Sequence, residues 1–169
     1  MAAFRDDEVD RLDYELLRDG PVTKYFRPEV LERDLHWLRE RGYVISSFDA
    51  TGWASGADPL REIARELQFP QHFAGNLDAL HECLSELSIP DDSGRAIVIR
   101  RFEALYGQDP GFAWNLLDVF AAESRNHLLR GRRLMVLVQT DDPRLSIRAV
   151  GECPVGWNLR EWTDKARGV

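Results

Sequence analysis

Two spacings of apolar residues alternate along this chain. Steps of three and four predict helices, and short runs of β-branched and aliphatic residues predict strands. Val9, Leu12 and Leu16 predict a first helix over about 6–18, capped by Asp6 or Asp7 and stopped by Gly20. Residues 22–26 alternate as a short strand. Pro28 opens a second helix with Leu31, Leu35 and Leu38 on one stripe, and Gly42 ends it. A strand at 43–48 follows, then a small-residue loop, then a third helix opened by Asp58-Pro59 and closed by Pro70. Asn76 is a good N-cap for a fourth helix over 76–88, where Leu77, Leu80, Leu84 and Leu87 share one face. Residues 96–99 form the next strand, and 102–106 read as a short helix or a loop. Asp109-Pro110 opens a long helix to about Arg130, before the most hydrophobic strand, 133–139. Residues 145–150 alternate as an edge strand, and 157–166 suggest a last short helix.

Strands separated by helices argue for an α/β fold with a mainly parallel sheet. Its three core strands are 43–48, 96–99 and 133–139. The strands at 22–26 and 145–150 can extend it at the edges, where antiparallel pairing is open to them. No repeat or linker divides the 169 residues, so a single domain over 1–169 is the simplest account. The longest apolar run, 134–138, is far too short to span a membrane. The N-terminus lacks a basic segment followed by an apolar one, so a cytoplasmic protein is expected. Cys83 and Cys153 form no C-x-x-C pair and read as free thiols.

Charge singles out one region. Residues 66–94 hold six acids and no Lys or Arg, whereas the whole chain has 22 basic residues and a net charge of −7. A nucleic-acid binder would show a basic stripe instead. Across the fourth helix from its leucines lie Asp78, His81, Glu82 and Ser85, at i, i+3, i+4 and i+7. Such an acidic patch suits a basic partner, a cation or a metal.

Catalytic motifs are missing: no G-x-G-x-x-G, Walker A, H-E-x-x-H or G-x-S-x-G occurs. Two carboxylates on one exposed helix face are a poor match to a glycosidase, whose acids flank a cleft. A metal-dependent enzyme would use His72, Asp78, His81 and Glu82, in a spacing that matches no standard ligand pattern. Cys83 lies beside the leucine stripe and reads as a partly buried, inert thiol. His127 sits in the long helix without a partner at useful spacing. No cofactor is implied.

The run Pro70, Asn76, Leu77, Asp78, Ala79, Leu80, Cys83 and Leu84 resembles the barstar family, small intracellular inhibitors of barnase-type ribonucleases. The resemblance covers roughly 43–140, with 1–42 and 141–169 as extensions. It implies a three-layer α/β fold with a three-stranded parallel sheet. It also implies a non-enzymatic protein whose fourth helix and preceding loop plug the active site of a basic secreted ribonuclease in a one-to-one complex. By position, Asp78 and Glu82 would be the acidic contacts, with Glu82 imitating phosphate. His72, Gly75, Asn76, His81 and Ser85 would complete the surface. His72, His81 and Glu82 depart from the usual family residues. Protonated, the two histidines would be held by Glu82 and Asp78. An immunity protein against a different toxin on the same scaffold is the alternative.

Overall fold

The β-branched and aliphatic runs assemble into one five-stranded sheet, all of whose pairings are parallel. The structure is a computed structural model and describes residues 2–169. The strands are β1 (Val22–Tyr25), β2 (Val44–Asp49), β3 (Arg95–Arg100), β4 (Leu134–Gln139) and β5 (Gly156–Trp157), in the order β2-β3-β4-β1-β5. Register is continuous across the centre: Ile97 of β3 and Val22 of β1 both pair with Val136. The helices are α1 (Leu12–Arg18), α2 (Pro28–Glu40), α3 (Ala57–Glu66), α4 (Leu77–Ser85), α5 (Glu103–Gln108), α6 (Pro110–Leu129) and α7 (Asp164–Arg167).

All six residues of β4 are buried, so the sheet needs cover on both faces. On one face Ile97, Ile99, Leu134, Val136 and Val138 pack with Ile63 of α3, Leu80 and Leu84 of α4, and Leu116, Leu117 and Phe120 of α6. On the other, Ala96, Val98, Met135 and Leu137 meet Leu16 and Leu17 of α1 and Leu31, Leu35 and Leu38 of α2. The N-terminal extension therefore supplies the fully buried helical cover of one face, besides adding β1 to the sheet.

Three expectations are corrected. Residues 145–150 form no strand, and among the described residues no antiparallel strand extends the sheet; the outer position beside β1 belongs to Gly156–Trp157, in parallel sense. The alternation of 145–150 comes from burying Leu145, Ile147 and Val150 in a segment that crosses α6. Trp114 Nε1 donates to Ala149 O at 3.1 Å, and Gly151 N donates to Asp118 Oδ1 at 2.8 Å. Gly151 has φ +53°, and a Cβ there would meet Ala121 Cβ at 3.1 Å, so the crossing needs glycine. The first helix is also broken. A 3₁₀ turn over Asp6–Glu8 is separated from α1 by an extended Arg11, because Glu8 and Asp13 turn inward to a buried cation. That cation is Arg133, whose guanidinium reaches Glu8 at 3.2 Å and Asp13 at 3.4 Å, while Tyr43 Oη donates to Asp13 at 2.6 Å. The last helix is shorter than expected, with Trp157 in β5 instead.

The C-terminal extension is tied in by buried charge as well. Backbone N–H groups of Phe26 and Arg27, at the start of α2, donate to the two carboxylate oxygens of Glu161 at 2.9 and 2.8 Å. This carboxylate satisfies donors that a helix N-terminus leaves free. Lys24 Nζ donates to Leu145 O at 2.7 Å and lies 4.3 Å from the centre of the Trp157 ring.

Two measurements follow. Arg133→Met leaves Glu8 and Asp13 with Arg11 as their remaining cation and is expected to cost about 1–3 kcal/mol in urea unfolding; an unchanged midpoint would show that Arg133 carries no stability. Burial, with repulsion from Arg167, pushes Lys24 down to about 8. Between there and an unfolded value of ~10.4 the unfolded chain binds more protons, so this residue makes stability rise with pH. Stability curves of the native protein and Lys24→Met over that window should therefore differ in slope, with the rise smaller in the variant.

Candidate functional site

The loop into α4 is built for a sharp entry. Phe69 and Phe73 pack with ring centroids 5.3 Å apart and anchor the loop on the core. Gly75 turns the chain at φ +69°, in the left-handed region that favours glycine. Asn76 Oδ1 then accepts from Ala79 N at 2.8 Å, so its side chain caps the helix. His72, Gly75 and Asn76 are all exposed on this loop.

From there the helix divides as its sequence requires. Leu80 and Leu84 are fully buried, Leu77 packs against the same core, and Leu87 is buried just beyond the helix end. Burying each leucine contributes roughly 1.5–3 kcal/mol. Asp78, His81 and Glu82 are exposed, and Ser85 is half-buried. Glu86, the C-cap, extends the row of acids to three at i, i+4 and i+8. Among the described residues none of these three carboxylates forms an ion pair, although Asp91 farther on meets Arg132 at 3.6 Å. Ser85 Oγ donates to Glu82 O at 2.7 Å, which turns its hydroxyl back onto its own helix.

Histidine 81 is not held by Asp78 or Glu82, as the sequence suggested. Its Nδ1 lies 3.0 Å from Oε1 of Glu123, a fully buried acid on α6. Helical geometry explains this: the ring at position 81 leans toward α6, away from its neighbours' carboxylates. A second histidine grips the end of α4. His127 of α6 is fully buried, and its Nε2 donates to Leu84 O at 2.8 Å. Arg130 Nη1 donates to Ser85 O at 3.2 Å. Two side chains of α6 thus satisfy carbonyls that a helix C-terminus leaves free, with a guanidinium where the helix dipole favours positive charge. Cys83 is half-buried; burial, then the nearby Glu82 and Glu86, push its thiol up and away from the reactive thiolate.

The four residues proposed above for a metal do not converge. Among the described residues no group of three or more His, Cys, Asp or Glu side chains is placed to hold a metal ion. Nor is any helix long and apolar enough to cross a membrane. What the arrangement offers is a convex acidic ridge on a helix locked to its neighbour. Beside Asp78 lies a shallow groove lined by Gly56, Leu60, Leu77 and Phe112.

A scan against protein-family models matches residues 43–139 to Barstar (barnase inhibitor), more than half of the chain. The chain belongs to the barstar family. Comparison with curated proteins finds no match. The barstar segment runs from the start of β2 to the end of β4, so it contains α3, the loop, α4 and α6. It excludes α1, α2, β1, β5 and α7, which complete the sheet and its second face.

All seven residues singled out from the sequence lie on this loop and helix within the barstar segment. The residues that reading left out are Glu123 and Asn126 of α6 and Arg130, its C-cap; His127, read as lacking a partner, finds one in Leu84 O. One signal was present. Glu123 and His127 fall among the inward positions Leu116, Phe120 and Ser124 of α6, where a polar side chain needs a partner. Removing the cap, by Asn76→Ala, is expected to cost ~1 kcal/mol, while Asn76→Asp should stay close to native. Thermal unfolding of the two variants checks this.

Proposed function

We propose that this member of the barstar family is a cytoplasmic, monomeric protein that folds as one domain and blocks the active site of a small basic ribonuclease. The loop and helix α4 insert as a one-to-one plug, with Asp78 and Glu82 as the main acidic contacts and His72, Gly75, Asn76, His81 and Ser85 around them. One observation carries the reading. The 29-residue stretch without Lys or Arg folds so that Asp78, Glu82 and Glu86 stand in a row, and among the described residues none of them forms an ion pair.

The chemistry follows from what a ribonuclease must do. Its active site binds phosphate, so it gathers cationic donors in a cleft. Carboxylates on a rigid helix can take the place of phosphate there through charge-assisted hydrogen bonds. The longer reach of Glu82 suits a cleft deeper than Asp would fill. Excess negative charge around the plug would also draw the two proteins together. The groove beside Asp78 offers apolar contact next to the charged centre.

The experiment is a titration of basic microbial ribonucleases with the native protein. Loss of turnover at one-to-one stoichiometry is expected for the cognate enzyme. Glu82→Ala and Asp78→Ala should each weaken inhibition about tenfold or more, ~1.4 kcal/mol, and added salt should slow association. Full inhibition by both variants would exclude α4 as the plug.

A further inference from the structure

We propose that Glu123 is a positioning residue for this face. By selecting the tautomer of the neutral His81 ring, it makes the helical part of the face a surface of hydrogen-bond acceptors, matched to a partner site lined with guanidinium or ammonium donors. The proposal rests on the reading of α4 as the nuclease-binding helix and names the chemistry that this helix presents.

Glu123 is fully buried. Its Oε1 accepts from Asn126 Nδ2 at 2.9 Å and stands 3.0 Å from His81 Nδ1. Its Oε2 is buried without a hydrogen-bond partner. A carboxylate removed from water is costly unless a cation or donor meets it. Among the described residues, His81 is the one group within ion-pair distance of Glu123. Two bare lone pairs would repel across this short contact, whereas a proton on Nδ1 makes it attractive. The neutral ring therefore carries hydrogen on Nδ1 and keeps its lone pair on Nε2.

That choice matters because the imidazole is half-exposed, in the same helical turn as the acids. Asp78 and Glu82 only accept. Ser85 has spent its hydroxyl proton on Glu82 O, which leaves its lone pairs outward. With Nε2 also an acceptor, Asp78, His81, Glu82 and Ser85 present one kind of group. In the opposite tautomer a ring N–H would stand in this row and oppose each donor of a cationic partner. Glu123 thus acts on recognition from beneath the surface, through His81.

The test begins with the free protein. Long-range proton–nitrogen NMR at about pH 8, above the ordinary imidazole range, should show His81 protonated on Nδ1. His127 serves as the internal reference, because a carbonyl holds its hydrogen on Nε2. Glu123→Leu removes the acceptor that faces Nδ1, so it should shift His81 toward the Nε2-protonated form. In the second arm, affinity is measured for the ribonuclease that the native protein inhibits. Folded Glu123→Leu should bind about tenfold more weakly, ~1.4 kcal/mol. A native His81 protonated on Nε2 overturns the proposal, whether or not the variant folds. So does unchanged affinity in a folded variant. Protonation on Nδ1 with no ribonuclease inhibited would instead sink the functional reading and leave the positioning of His81 standing.

Discussion

Everything in this fold depends on the central strand β4 being apolar on both sides. A parallel strand with all six residues buried cannot leave either face of its sheet to water. The barstar segment brings α3, α4 and α6 to one face. The other face is closed by Leu16, Leu17, Leu31, Leu35 and Leu38, which all lie before the segment begins. The N-terminal extension is thus part of the core, and β1 at the same time occupies the edge of β4 that would otherwise stand unpaired. The buried charges at these junctions place the extensions in one position. Arg133 between Glu8 and Asp13, and Glu161 across the start of α2, satisfy donors and acceptors that no slipped packing would match.

Helix α4 breaks a local rule. Acids near a helix C-terminus oppose the dipole, and like charges at i, i+4 repel by about 0.2–0.5 kcal/mol each. Asp78 in the first turn agrees with the dipole, but Glu82 and Glu86 do not. The helix persists because its leucines are buried and because His127 and Arg130 of α6 take its last carbonyls. The local electrostatic cost is offset by tertiary contact.

Most of this site was legible in the sequence because its determinants are local. The Asn76 cap, the turn at Gly75, the leucine stripe and the basic-residue gap each act within one helix length of chain. The core strands were legible for the same reason. Where distant partners decide the conformation, local pattern failed. Residues 145–150 alternate like a strand, yet their alternation serves packing on α6. Val9, Leu12 and Leu16 keep helical spacing across a break imposed by a buried arginine more than a hundred residues away. Position 81 looked like a histidine among acids of its own helix, and its partner proved to lie on another.

Helix α6 joins these levels. On one side it receives the 145–151 crossing, through Trp114 and Asp118. On the other it holds α4 through Glu123, His127 and Arg130. Ser124 fixes it to the sheet at Leu134. A displacement of α6 would therefore move the acidic ridge as well. The C-terminal extension, although it lies outside the barstar segment, braces the helix that holds the acidic ridge. Under the proposed function, rigidity there would favour binding, since a plug already held in shape loses less conformational freedom when it enters a cleft.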